Sequence, residues 1–325
     1  MWKKKSVQIG LLSLAELLAM ALWFSATAVI PQWIEVFSIS NAQQAWLTIS
    51  VQIGFVAGAF LLSVFTISDR FPARYIFALS ALAGALINAA IPYFDLTIAT
   101  IIVLRFLTGM TLAGVYPTGM KIMTTWCRED RGLCIGILVG ALTAGSSVPH
   151  LLNAISPAGA QSLPDWRIVL FGSSLLAVIA SLISLFTLRT GPHRPKLAPF
   201  NMKYITESLK YKPVRLANFG YLGHMWELYA MWAWVPVMLL YSYQQADLNP
   251  RMARLAGFGV IAIGALGCVL AGRLADRLGR TTITTVSLLI SGCCALSVGF
   301  LIAQPLLLTI VCLIWGFAVV ADSAQ

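Results

Sequence analysis

Stretches of about twenty apolar residues fill most of this chain, and they limit its possible architectures more than any other feature. In hydrocarbon, every backbone N–H and C=O must be satisfied internally, so only helices or a closed barrel can cross. The stretches lie near 8–30, 44–66, 75–93, 98–118, 133–153, 168–189, 217–240, 255–273, 282–302 and 306–325. They are about twice as long as a barrel strand and lack period-two alternation, which leaves helices. The sequence therefore predicts an all-α polytopic membrane protein with about ten spans. A composition of 59% hydrophobic and 10% charged residues excludes an ordinary soluble domain. The first stretch follows Lys3-Lys4-Lys5, but it is too long for a signal-peptide core and contains Glu16, so it is read as a retained helix.

The net charge of +10 is spread in short clusters between apolar runs, with no aromatic-interleaved basic stripe, which excludes a nucleic-acid partner. Basic residues crowd the amino terminus and the loops after spans 2, 4, 6 and 8. The opposite loops hold only Arg167, Arg251 and Arg254. That bias puts the amino terminus and the even-numbered loops in the cytoplasm. Cys127, Cys134, Cys268, Cys293, Cys294 and Cys312 have neither framework nor metal spacing, so no disulfide and no metal site are expected.

A run recurs inside two of the spans. Glu16-Leu17-Leu18-Ala19-Met20-Ala21-Leu22-Trp23 returns as Glu227-Leu228-Tyr229-Ala230-Met231-Trp232-Ala233-Trp234, 211 residues later. Each copy places a costly carboxyl at membrane depth, the mark of a functional position. A second pair, Ser68-Asp69-Arg70 after span 2 and Ala275-Asp276-Arg277 after span 8, is offset by 207 residues. Near-equal offsets at two places indicate one duplication. The halves are expected at 1–190 and 217–325, joined by a proline-rich basic linker over 191–216 in which 205–210 suit a short surface helix. The second half holds four spans against six, so the chain is expected to be C-terminally incomplete.

Gly272-Arg273-Leu274-Ala275-Asp276-Arg277-Leu278-Gly279-Arg280 resembles the loop signature of the major facilitator superfamily of secondary transporters. The first copy departs from it, with Phe65 for the leading glycine and Pro72-Ala73 in the turn. Arg105-Phe106-Leu107-Thr108-Gly109 is similar to the span-4 pattern of that superfamily, and residues 113–121 resemble a bacterial branch near the nitrate/nitrite porters. The resemblance implies two pseudo-symmetric six-helix bundles, of whose twelve helices about ten are present, with substrate held between them. It also implies a cytoplasmic gate at Asp69, Arg70, Gly272, Asp276, Arg277 and Arg280. The porters' binding arginines in spans 2 and 8 are missing, which discounts nitrate.

On helical spacing, Glu16, Met20, Trp23 and Thr27 share one face of span 1, and His224, Glu227, Met231 and Trp234 share the equivalent face of span 7. A path for substrate or proton is expected along Glu16, Glu227, Arg105, Trp23, Trp234, Tyr229 and His224, because transporter sites lie near the midplane at the repeat interface. Gly132, Gly136, Gly140 and Ala144 recur every fourth residue, and span 8 carries Gly257, Gly264, Gly267 and Gly272, a pattern for close helix contact. The expected activity is alternating-access, proton-coupled transport of a small solute in a bacterial inner membrane, by a monomer without cofactor. The alternatives are an anion porter using Arg105, and a non-transporting membrane sensor or inactive fragment. No nucleophile–base pair points to an enzyme.

Overall fold

The computed structural model describes residues 4–127, 130–157, 164–193, 207, 209–321 and 323, and of Ser68, Asp69 and Asp276 the backbone alone. Its elements there are all helical. The first half runs α1 (Lys5–Met20), α2 (Ile30–Phe37), α3 (Asn41–Val64), the single turn α4 (Ile67–Arg70), α5 (Ala73–Tyr93), α6 (Ile98–Leu112), α7 (Tyr116–Trp126), α8 (Arg131–Ile155) and α9 (Trp166–Thr187). The second runs α10 (Lys212–Gln245), α11 (Pro250–Leu278), α12 (Arg280–Ser297) and α13 (Pro305–Ala321). Of the expected linker helix at 205–210, residues 205, 206 and 208 lie outside the described residues.

Seven segments among the described residues are long and apolar enough to cross a membrane: 41–64, 73–93, 98–126, 131–155, 166–187, 250–275 and 280–301. The other three expected spans differ for identifiable reasons. The first is interrupted after Met20. The seventh lies in α10, where tryptophans, tyrosines, His224 and Glu227 dilute the apolar character of a 34-residue helix. The last is α13, with 17 residues.

The interruption in the first span has a specific support. Residues 21–26 form turns before a 3₁₀ segment at Thr27–Val29 leads into α2. A broken helix leaves carbonyls without intrahelical donors. Arg105, fully buried on α6, supplies them: Nη1 donates to the Leu22 carbonyl at 3.0 Å and Nη2 to the Trp23 carbonyl at 2.5 Å. Nη1 also reaches Ser25 Oγ at 3.0 Å and Asn88 Oδ1 at 3.1 Å. Asn88 is fixed in turn by donating to the Leu170 carbonyl and Ser174 Oγ. The guanidinium thus faces the end of α1, where the helix dipole is negative. Cys312 stands 207 residues beyond Arg105, and the corresponding helix of the second half, α10, continues unbroken.

Glycines set how closely the helices approach. A Cβ on Gly109 would lie 2.0 Å from the Val51 carbonyl oxygen, and one on Gly316 would lie 1.9 Å from that of Val260. Gly58 abuts the Met110 carbonyl as Gly267 abuts that of Phe317. Partners in these two sets are 207 or 209 residues apart, so the α3–α6 packing is repeated by α11 on α13. The broadest contact in the molecule joins the halves, α8 against α11. There Gly136 faces the Cys268 carbonyl, Gly140 that of Ala265, and Gly272 that of Gly132. The every-fourth-residue stripe read in span 5 lies in this seam, whereas of the span-8 glycines Gly272 joins it and Gly257 and Gly267 pack on α10 and α13.

Two predictions follow the packing. Gly109→Ala and Gly316→Ala should each lower stability by about 1–3 kcal/mol through overpacking, whereas Gly220→Ala, with nothing within 4 Å, should not. Thermal unfolding followed by size-exclusion chromatography in detergent measures all three. Arg105→Lys should lose about 3 kcal/mol in the same assay, since a point charge cannot serve acceptors spread around a planar fork. A lysine variant as stable as the parent would overturn the clamp.

Candidate functional site

The two copies of the repeated run place their carboxyls in different surroundings. Glu16 is completely buried on α1, and neither carboxyl oxygen has a hydrogen-bond partner. It packs on Gly119 of α7, where a Cβ would lie 2.6 Å from Oε2 and near Phe77. Behind it, Gly145 of α8 lets the Leu17 carbonyl approach to within 2.2 Å of a would-be Cβ. An anion in this position would lack any compensating contact, a situation that costs several kcal/mol. Glu227 is half-buried on α10, and its Oε1 accepts from Ser291 Oγ at 2.5 Å and from Trp315 Nε1 at 2.9 Å. The sequence placed both carboxyls on one path and gave no sign of Ser291, Trp315 and Gly119, whose significance lies only in where α7, α12 and α13 pack. Asn88 was missed as well, although a lone amide within an apolar stretch is a visible signal.

An aromatic seam joins the halves at this level. The buried Trp23 stacks on Tyr229, with ring centroids 5.8 Å apart and planes 9° from parallel. Phe55 meets Trp23 edge-on at 5.1 Å, and Trp232 meets Phe24 at 5.7 Å. Beside the seam lies a cavity of about 370 Å³, lined by Thr27, Thr48, Gln52, Met225, Tyr229 and Trp234 among others. Its character is apolar and aromatic with a few hydroxyls and amides, as small-molecule sites are. Trp23 and Tyr229 are therefore brought together, and Trp234 lies exposed along the same cavity. His224 is buried further along α10, its Nε2 2.7 Å from Ser323 Oγ. Arg105 spends its contacts on the break in the first span.

The two Asp-Arg pairs occupy corresponding places, Asp69 and Arg70 in the turn α4 between α3 and α5, and Asp276 and Arg277 in the last turn of α11 before α12. Each turns through a positive φ, at Thr66 (50°) and at Gly279 (87°), where the glycine removes the Cβ strain. The side chains of Asp69 and Asp276 lie outside the described residues. Arg70 donates from Nε to Thr66 Oγ1 in its own turn, and Arg277 and Arg280 are exposed. The one ion pair among the described residues is Lys5 with Asp130, 2.6 Å apart, which ties the start of α1 to the start of α8. Hydrogen bonding from Lys5 holds the Asp130 carboxyl below its ordinary range. A pair this exposed contributes about 0–1 kcal/mol.

One expectation is corrected here. Cys127 and Cys134 form a disulfide, because the short loop between α7 and α8 folds the two positions together, with Cα atoms 6.4 Å apart. Asp130 approaches the same two sulfurs, but a disulfide leaves no thiolate to ligate a metal.

Comparison with known proteins agrees with this architecture. The Major Facilitator Superfamily profile matches residues 12–321. The "Putative niacin/nicotinamide transporter NiaP" of Bacillus subtilis (strain 168) is 23% identical over 275 residues, covering 79% of this chain and 62% of that protein. An "MFS-type transporter" of Gibberella moniliformis (strain M3125 / FGSC 7600) is 24% identical over 264 residues, covering 78% and 58%. The chain thus spans about three fifths of the length of these curated relatives. Among solved structures, an inward-facing, unoccupied bacterial homologue of the human lysosomal transporter Spinster superposes with a TM-score of 0.65 at 18% identity, over 98% of this chain and 74% of that one. The proton:xylose symporter XylE, bound to 6-bromo-6-deoxy-D-glucose, gives 0.63 at 17% identity, over 98% and 82%. This multi-pass membrane chain belongs to the Major Facilitator Superfamily, a family of transporters and not of enzymes.

Proposed function

We propose that the chain is a secondary active transporter that carries a small solute across a bacterial inner membrane by alternating access, with the solute coupled to protons. In this reading ten helices cross the bilayer and the amino terminus is cytoplasmic. Residues 1–190 and 217–325 rock about the linker at 191–216, and the α8–α11 glycine seam is the surface on which they slide. The Asp-Arg loops, with Asp69, Arg70, Gly272, Asp276, Arg277 and Arg280, latch the cytoplasmic side when the outer side is open. The solute sits in the aromatic cavity beside Tyr229 and Trp234, with the Trp23–Tyr229 stack at its edge, while Glu227 is turned toward Ser291 and Trp315 and His224 toward Ser323.

The observation that carries it is the isolation of Glu16. A fully buried carboxyl with no hydrogen-bond partner is the place in this chain where a proton can be taken up and released as the halves move. Glu227, already holding two donors, acts in this reading as a fixed wall of the path. Arg105 positions α1 through its two Nη groups, which are committed to Leu22, Trp23, Ser25 and Asn88, while its Nε–H is buried without a partner. The commitment of both Nη groups weighs against the anion-porter alternative.

The experiment is gradient-driven uptake by the full chain in proteoliposomes. Radiolabelled nicotinamide and nicotinate are the probes, chosen because one relative is named for this class. An inward proton gradient should drive accumulation that an uncoupler collapses. Glu16→Gln should abolish accumulation against the gradient yet preserve solute exchange, and Glu227→Gln should leave coupling intact. Undiminished accumulation by Glu16→Gln would remove the proton role from that residue.

A further inference from the structure

A second cavity lies between the halves, at the end of the molecule away from the Asp-Arg loops. It encloses about 250 Å³ and is walled by Gln32 and Glu35 of α2, His150 and Asn153 of α8, Gln244 of α10 and Arg254 of α11. It is separate from the aromatic cavity, although Thr27, Ala233 and Val237 border both. Neither the duplicated run nor the proposed proton path uses its polar residues.

Their orientation can be worked out from the hydrogen bonds. Asn153 Nδ2 donates to the Ala28 carbonyl at 2.6 Å, and a carbonyl can only accept, so the amide of Asn153 is fixed. Its Oδ1 must then accept, which it does from Gln32 Nε2 at 2.6 Å. The chain of donors thereby fixes Gln32 as well and leaves Gln32 Oε1 as an acceptor, buried and without a donor. His150 Nε2 is likewise buried without a partner in the same wall. Buried polar groups are normally satisfied, and two orphans in one cavity wall mark a place completed by something the chain does not supply. Gln32 is 3% exposed and His150 5%, so neither has bulk water as its partner.

The charges of the cavity are complementary to a particular chemistry. Glu35 and Arg254 both face it, one from each half, yet they do not pair, since the one ion pair among the described residues is Lys5–Asp130. Two opposite, unjoined charges together with an orphan acceptor suit a ligand with a cationic N–H donor at one end and a carboxylate at the other. The N–H end would meet Glu35 and Gln32 Oε1, and the carboxylate would meet Arg254. A cavity of 250 Å³ is below the size that holds a drug-sized molecule, which points to a small solute.

We infer that this cavity is a binding site for a small zwitterion, an amino-acid-like solute bridging Glu35 of the first half and Arg254 of the second. It does not depend on the transport reading, and binding is measurable without any flux, so the two can fail separately.

The test is equilibrium binding to the full chain in lipid nanodiscs, by isothermal calorimetry. The probes are the ω-amino acids from glycine to 6-aminohexanoate, with the alkanoate and alkylamine of each length as controls. The series scans charge separation. One or two lengths should bind saturably, and their monofunctional controls should bind at least about tenfold more weakly, the ratio expected when a charged hydrogen bond is lost. Glu35→Gln and Arg254→Gln should each cause a similar loss. The exchanged pair Glu35→Arg with Arg254→Glu, which keeps both charges in the cavity, should recover most of it. Glu35 is exposed, so its variant tests the site without disturbing packing. Absence of saturable binding across the series, equal binding of the controls, or binding indifferent to Glu35→Gln would each overturn the inference.

Discussion

The arrangement of the first half depends on one guanidinium. Helix α1 stops after Met20, and a stop in buried apolar surroundings is tolerable only if the released carbonyls find donors. Arg105 gives two of them to Leu22 and Trp23 and anchors the same group to Ser25 and Asn88. Holding the Trp23 carbonyl also sets where the Trp23 ring goes, and that ring is stacked on Tyr229 of the other half. The clamp, the aromatic seam and the wall of the larger cavity are therefore one connected construction. Its charge is balanced by the carbonyl end of α1 and by neutral acceptors rather than by a carboxylate.

Close approach through glycine is the second constraint. In lipid the apolar effect does not hold helices together, so they need backbone-level contact. Gly109 on Val51 and Gly316 on Val260 provide it within the halves, and Gly136, Gly140 and Gly272 provide it between them. A seam built of small residues has few interlocking side chains, which is compatible with one helix sliding on its neighbour.

Much of this was legible in the sequence, and the reason differs from element to element. The glycine stripe was readable because a spacing of four is a helical face whatever surrounds it. The Asp-Arg loops were readable because their flanking apolar stretches fix them between particular helices. The break after Met20 was not, since Ala21-Leu22-Trp23-Phe24 has neither proline nor glycine and would continue a helix on local preference. A tertiary partner decides it. The disulfide between Cys127 and Cys134 was also hidden, because a spacing of seven belongs to no recognised pattern and depends on how α7 and α8 meet.

The amino-acid sequence by itself determined that this is a helical membrane chain with internally repeated motifs in a transporter superfamily. Apolar length, offsets of 207 and 211 residues and a loop signature are properties of the string of residues, independent of packing. The tertiary structure alone decided what the duplicated carboxyls became. Glu16 and Glu227 are followed by Leu, Ala, Met and Trp at the same spacings, but α7 presents Gly119 to one, whereas α12 and α13 present Ser291 and Trp315 to the other. A carboxyl's role follows from the donors within about 3 Å of it, and those come from helices distant in the chain.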